Sequence, residues 1–283
     1  MSEVRYWING APGDCLRPDE RVVQYGDGLF ETLQVSDGVA DYLDCHLQRL
    51  QAGCRRLLLS FDDWQGLQAE LQAHAHECGR GVIKLILGRA AGQRGYRFGS
   101  DQAATRIIST QALPELPPEN GVQGVRVRLC GLRLAAQPAL AGIKHLNRLE
   151  QVMARAEWHQ GYEEGLMLDC DGRLIEGTMS NLFLVRDGTL FTPRLDTCGV
   201  AGVMRSVLIE LAGARAIEVR RQSLRAADLA SAQEVFVCNS LIGIWPVIAV
   251  DEQYGYSVGT VTRTLQQALS QDDRTRAGHW YND

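Results

Sequence analysis

"GIKHLNRLEQ", Gly142 to Gln151, contains Lys144, one of only two lysines in a chain whose other 27 basic residues are arginines. Arginine and lysine are interchangeable on a solvated surface, but only lysine has an amine that can lose its proton and condense with an aldehyde. The stretch stands at a junction. Small residues, "AAQPALAG", precede it, and Leu146, Leu149, Val152, Met153 and Ala156 follow at helical spacing, so "KHLNRLEQVMARAEWHQ" is predicted to be a helix. A lysine at such a junction can point into a cleft while the helix fixes its backbone. The other lysine, Lys84 in "GVIKLILG", shares a strand face with Val82 and Ile86. It reads as a snorkelling sheet-edge lysine or part of an interior network, and no chemistry is assigned to it.

Residues 3–43 alternate apolar runs with turns, and Ser36-Asp37-Gly38 marks a hairpin. Leu47, Leu50, Cys54, Leu57 and Leu58 recur at helical spacing, and a second helix is predicted from about Asp62 to Cys78. "GVIKLILGRA" and "TRIISTQAL" read as strands around the loop "GRAAGQRGYRFGS". "LPELPPEN", Leu113 to Asn120, holds three of the eight prolines and is the predicted linker. The expected organisation is a smaller N-terminal domain, 1–113, a linker, 114–120, and a larger C-terminal domain, 121–283, that carries Lys144.

Beyond the linker, "GVQGVRVRLCGLRL" is strand-like, and "EGLMLDCDGRLIEGTMSNLFLVRDGTLFTP" alternates through strands with Asp171-Gly172 and Asp187-Gly188 turns. A helix is predicted after Gly202, two strands in "EVFVCNSLIGIWPV", and a closing helix in "VGTVTRTLQQALSQ". The expected class is therefore α/β in the broad sense (α+β), with mixed layers in both halves and no regular βα alternation of a dinucleotide-binding fold.

Hydrophobic content of 45% and charged content of 22% are those of an ordinary globular chain. A net charge of −5, with the arginines dispersed, argues against nucleic acid and anionic membrane as partners. "MSEVRYWINGAPGDCL" lacks the apolar core of a signal peptide, and no apolar run is long enough to span a bilayer. With no CxxC among its eight cysteines, the chain is expected to be cytoplasmic with reduced thiols. "HAHEC" offers His74, His76 and Cys78, but helical periodicity there points i and i+2 apart, so no metal site is expected.

Several residues read as parts of an anion or cofactor site. Arg49 in "HLQRL" suits a phosphate clamp, and Gly199 and Gly202 precede a helix whose amides at Val203 and Met204 can cradle a phosphate. Ser240, after a strand, offers a hydroxyl, and Glu176 at a strand end can hold a heterocyclic nitrogen protonated. A surface arginine, an ordinary helix start and a turn serine are the plainer readings of each alone.

Together, "YGDGLFET", "HLQRL", "GIKHLNRLEQ", "EGTMSNLF" and "TPRLDTCGVAGVMR", in this order, resemble the class IV aminotransferase family, the fold-type IV pyridoxal-phosphate enzymes. The resemblance runs from about Trp7 to Val247 and implies the two-domain fold of the D-amino-acid aminotransferases. Within the family the chain is most similar to the aminodeoxychorismate lyase branch. It has Arg148 where branched-chain aminotransferases usually carry tyrosine, and Thr32 where those have glycine and D-amino-acid aminotransferases valine. Asn239 stands where branched-chain enzymes tend to have glycine.

That resemblance implies cleavage of 4-amino-4-deoxychorismate to 4-aminobenzoate and pyruvate, with transamination of branched-chain or D-amino acids as the alternative. It implies that Lys144 carries pyridoxal 5'-phosphate and then serves as general base, that Glu176 protonates the pyridine nitrogen, and that Arg49, Val203, Met204 and Ser240 hold the phosphate. Thr32 is expected at the departing enolpyruvyl group, Arg94 at a substrate carboxylate, and Asn239 on the substrate side. Glu31 receives no role. The resemblance also implies a homodimer, and the intact lysine, glutamate and phosphate elements argue against a non-catalytic member of the family.

Overall fold

The protein was analysed as a computed structural model that describes residues 4–92, 95–99 and 102–274. It divides into two compact units. Of the described residues, the first comprises those up to Pro114 with Ile143–Asn147 and residues 273–274, and the second comprises Glu115–Gly142 and Arg148–Asp272. The segment of Lys144 thus packs with the first unit, although the residues on both sides of it pack with the second.

The first unit contains strands β1 (Arg5–Ile8) and β2 (Ala11–Pro12), helix α1 (Arg21–Gln24), strands β3 (Gly28–Ser36) and β4 (Val39–Ala40), helices α2 (Leu43–Leu57) and α3 (Trp64–Cys78), and strands β5 (Gly81–Arg89) and β6 (Ala104–Gln111). Its antiparallel sheet has the order β2-β1-β6-β5-β3-β4. Asp37 and Gly38 form the predicted hairpin turn, and both adopt positive φ, as a tight right-twisting connection needs. Asp63 starts α3 by accepting the Gly66 amide at 3.0 Å.

Strand alternation sorts the sheet's residues between two faces. Leu29 and Leu33 of β3, Ile83, Leu85 and Leu87 of β5, and Ile108 of β6 are buried along with Leu47 and Leu50 of α2 and Leu67 and Leu71 of α3. Contact between α2 and β3 is close enough that a Cβ at Gly53 would come within 2.7 Å of Leu29. The opposite face carries an in-register row of Tyr6, Ser109, Lys84 and Thr32. Lys84 therefore belongs neither to an edge strand nor to an interior network; it is exposed on an internal strand.

The second unit contains α4 (Glu119–Gln123), β7 (Val125–Leu134), α5 (Leu149–Arg155), β8 (Glu164–Asp169), β9 (Arg173–Gly177), β10 (Asn181–Arg186), β11 (Thr189–Pro193), α6 (Val203–Ala214), β12 (Val219–Gln222), β13 (Leu224–Arg225), a 3₁₀ turn (Ala226–Ser231), β14 (Glu234–Asn239), β15 (Gly243–Val250), β16 (Tyr254–Gly255) and α7 (Thr260–Ser270). Its ten-stranded sheet runs β12-β11-β10-β14-β15-β7-β8-β9-β13, with β16 on β15. Most pairs are antiparallel, and β11–β12, β15–β7 and β7–β8 are parallel. Val127, Leu166, Leu182, Leu184 and Val237 sit at its centre, fully buried.

These elements match the predicted α+β class, with one correction. The helix expected from Lys144 begins only at Leu149, because the backbone of 143–147 pairs elsewhere: the Phe30 amide donates to Lys144 O at 3.0 Å, and the Leu146 amide to Gly28 O at 3.0 Å. The apolar spacing that suggested a buried helical face also misleads, since Leu149, Val152 and Met153 are 78%, 59% and 58% exposed. Among the described residues, no helix is long and apolar enough to cross a membrane.

Candidate active site

In the first unit, Lys144 lies alongside the start of β3. Its carbonyl is fixed by Phe30, and its Nζ stands 4.4 Å from the centroid of the Phe30 ring. The second lysine approaches the same ring, with Lys84 Nζ at 5.6 Å. Both lysines of an arginine-rich chain therefore stand over one phenylalanine. Thr32, two positions beyond Phe30 on the same face and in register with Lys84, is half-buried. Asn147 closes the segment by donating to Gly26 O at 3.1 Å.

The opposite face of β3 holds a group that sequence reading passed over. Glu31 is 2% exposed and meets two residues one helical turn apart on α2: His46 Nδ1 lies 2.6 Å from Oε2, and Arg49 Nε donates to Oε1 at 2.8 Å while Nη2 donates to Oε2. Burial alone pushes the Glu31 carboxyl up, but the Arg49 charge and the hydrogen bonds from His46 and Arg49 override it and hold it at about 2. Burial pushes His46 below its ordinary value against the pull of Glu31. The signal was available, since an acid between Leu29 and Leu33 in strand alternation must be buried and must find a partner. Arg49, predicted as a phosphate clamp, is thus also a counterion.

A second network at the end of β5 was likewise missed. Asp27 Oδ2 accepts from Arg21 Nε at 2.8 Å and from Arg89 Nε at 3.0 Å, and Arg21 Nη1 reaches Gly95 O at 2.7 Å. Arg21 so holds the 95–99 segment by its backbone, and the Arg89 guanidinium stands 3.6 Å from the centroid of the Phe98 ring. Arg94 itself lies outside the described residues.

In the second unit, the penultimate residue of β9 is Glu176, which is buried; its Oε2 accepts the Val200 amide at 2.8 Å and its Oε1 accepts from Gln151 Nε2 at 3.3 Å. Burial lowers the Arg148 guanidinium, against the charges of Glu176 and Glu150. The Gly142 amide donates to Gly199 O at 2.8 Å and the Ala201 amide to Gly142 O at 3.0 Å, so the loop before α6 is tied to the residue two positions before Lys144.

Helix α6 begins at Val203 with no side-chain cap and no acidic residue in its first turn. Asn181 Oδ1 accepts the Gly202 amide at 3.1 Å, and a Cβ at Gly202 would fall 2.0 Å from that oxygen, so any side chain there would displace the Asn181 carboxamide. The first-turn amides at Val203 and Met204 have no acceptor within the helix and point along its positive dipole end, which favours an anion.

The turn before Asn181 has its own support. Glu164, 1% exposed, accepts from the Gly165 amide at 2.8 Å, the Thr178 amide at 3.0 Å and the Met179 amide at 3.1 Å, and from the Thr178 and Ser180 hydroxyls. Asn239 is committed locally: Oδ1 accepts the Leu241 and Ile242 amides, and Nδ2 donates to Met179 O at 3.1 Å. Ser240 is half-buried in the turn that follows β14.

The family model for class IV amino-transferases matches residues 28–250. The chain is 35% identical over 269 residues to an aminodeoxychorismate lyase of Vibrio harveyi, across 94% of this chain and 99% of that protein. It is 49% identical to the crystal structure of 4-amino-4-deoxychorismate lyase from Pseudomonas aeruginosa, with a TM-score of 0.92 over 95% of this chain and 100% of that one. Against a branched-chain amino acid aminotransferase of Escherichia coli, identity is 26% and the TM-score 0.84, covering 94% and 93% of the two chains. On the family match, the full-length relatives and the shared fold, the chain belongs to the class IV aminotransferases.

Proposed function

We propose that the protein is a pyridoxal-phosphate-dependent lyase that converts 4-amino-4-deoxychorismate to 4-aminobenzoate and pyruvate. The observation that carries the reading is the pairing of an amine with a hydroxyl on one open strand face: Lys144 Nζ over the Phe30 ring and Thr32 two residues along. Full-length identity to two lyases supports the choice of substrate.

The donor set fits the cofactor. A buried carboxylate held in place by the Val200 amide and Gln151 Nε2, at Glu176, suits a protonated ring nitrogen, and an uncapped helix start behind a glycine suits a phosphate dianion. Lys144 Nζ would hold the aldehyde carbon. Arg49, the amides of Val203 and Met204, and the Ser240 hydroxyl would hold the phosphate, and Glu176 would keep the ring nitrogen protonated. When bound, the cofactor supplies an electron sink for the charge left by breaking a C–H bond.

With the cofactor and substrate bound, Lys144 Nζ would act as general base and take the proton from the ring carbon that bears the substrate's amino group. Thr32 Oγ1 would relay a proton, replaced by the one held at Lys144 Nζ, to the enolpyruvyl oxygen as its bond to the ring breaks. The ring becomes aromatic, which drives the step forward, and the released enol becomes pyruvate. Arg94 binds a substrate carboxylate, and Asn239 shapes the turn that faces the substrate side. We assign the enzyme to the cytoplasm as a homodimer; its eight cysteines, all free thiols, fit a reducing compartment, and the exposed Leu149, Val152 and Met153 fit a subunit contact.

The test is release of pyruvate and 4-aminobenzoate from aminodeoxychorismate by purified enzyme. No release, together with amino transfer from branched-chain or D-amino acids to 2-oxoglutarate, assigns the chain to the transaminase alternative.

A further inference from the structure

Three features of the buried network on β3 stand together. Glu31 lies on the face of Leu29 and Leu33, where another aliphatic side chain would pack without any desolvation cost, and a buried ion pair seldom stabilises a fold more than such packing does. The carboxylate grips the Nε/Nη2 edge of Arg49, and a guanidinium is a rigid plane, so fixing one edge fixes the direction of the other. Exposure also rises along the network: the side chains of Glu31 and His46 are 2% and 1% exposed, and that of Arg49 is 13%. The acid is sealed in, and the arginine is the member that reaches outward.

We propose that Glu31, steadied by His46, is a positioning residue that sets the plane of the Arg49 guanidinium for the cofactor's phosphate; this rests on the reading of Arg49 as a phosphate contact. His46 donates through Nδ1 to Oε2, which fixes the carboxylate rotamer, and α2 presents His46 and Arg49 to the strand from one helical turn. Glu31 touches neither substrate nor cofactor and acts only through the arginine, as supporting shells do around ligand-binding groups.

The test is a double-substitution cycle on cofactor release from the holoenzyme, followed by the visible absorbance lost on dialysis and by the phosphorus resonance of the bound phosphate. Glu31→Gln is expected to weaken pyridoxal-phosphate retention on the order of tenfold and to move the phosphorus resonance. In an Arg49→Met background the same substitution is expected to change neither. Glu31→Asp, which keeps the charge but withdraws it by one methylene, is expected to fall between wild type and Glu31→Gln, and it serves if Glu31→Gln does not fold.

Retention in Arg49→Met equal to wild type overturns the phosphate reading of Arg49 and the proposal with it. Weakened retention in Arg49→Met, with wild-type retention in Glu31→Gln or Glu31→Asp, overturns the proposal alone. A loss from Glu31→Gln that persists undiminished in the Arg49→Met background shows that Glu31 acts by another route, and also overturns it.

Discussion

Replacing Glu164 with alanine removes the carboxylate on which the 178–180 turn is built. Two backbone amides, at Gly165 and Met179, and two hydroxyls, at Thr178 and Ser180, lose this acceptor together, while the Thr178 amide keeps Gly165 O at 3.0 Å. The hydroxyls can rotate toward other acceptors, but the amides are fixed by β8 and the turn. Each buried donor left unpaired costs ~1–3 kcal/mol, so two give ~2–4 kcal/mol once partial hydration of the new cavity is allowed for. Glu164→Gln retains one acceptor oxygen and turns an amine toward donors, for a loss of ~2 kcal/mol.

Trp158 reports on this region, because a Cβ at Gly165 would meet its ring at 2.6 Å. Urea unfolding followed by tryptophan emission should therefore place Glu164→Ala far below wild type, with Glu164→Gln between them. A loss under ~1 kcal/mol in the alanine variant would show that water replaces the carboxylate in full, and would refute the reasoning. Activity should fall in parallel, since the turn follows Glu176 directly and also receives Asn239.

Further outcomes are expected at other positions. Lys144→Ala and Lys144→Arg should both yield inactive protein with no borohydride-trapped cofactor, since guanidinium does not condense with the aldehyde; covalent trapping in either variant refutes the assignment. Thr32→Ala should lower the rate of pyruvate release ~100-fold with cofactor retention unchanged, and Thr32→Ser should restore most of it. The folded Glu31 carboxyl, at about 2 against an ordinary 4.5, contributes stability that is fully present above pH ~4.5 and is lost as pH falls toward 2. The amount is ~3 kcal/mol, His46 adds to the loss on acidification, and the difference in unfolding midpoint between wild type and Glu31→Gln should shrink across that window. Asp27→Asn leaves Arg21 and Arg89 buried without their shared charge, so it should cost ~3 kcal/mol and speed proteolysis in the 95–99 segment.

The architecture was legible where local chemistry determines it. Asp37-Gly38 and Asp187-Gly188 announce their turns, and Asp63 and Gly79 bracket α3, because caps and positive-φ residues act within a few positions. The helix expected from Lys144 failed because its first residues satisfy their backbone groups on β3, more than a hundred positions earlier in the chain, which no periodicity encodes. Glu164 was equally invisible, since all its partners but the Gly165 amide lie fourteen to sixteen residues away around a turn whose shape exists only once the sheet has formed. Glu31 was the avoidable omission: strand alternation alone required it to face inward.

Glu31 and Thr32 are neighbours in sequence and face opposite sides of β3, so one peptide unit separates the buried support of an arginine from a hydroxyl on the open face. Chain length there is therefore as tightly constrained as side-chain identity. A single codon gained or lost between Phe30 and Thr32 leaves a strand that can still hydrogen-bond to β5, yet everything beyond the lesion is turned through half a rotation. Such a change exchanges inside for outside without altering a single side chain's chemistry, so drift through this stretch can proceed by substitution but not by slippage.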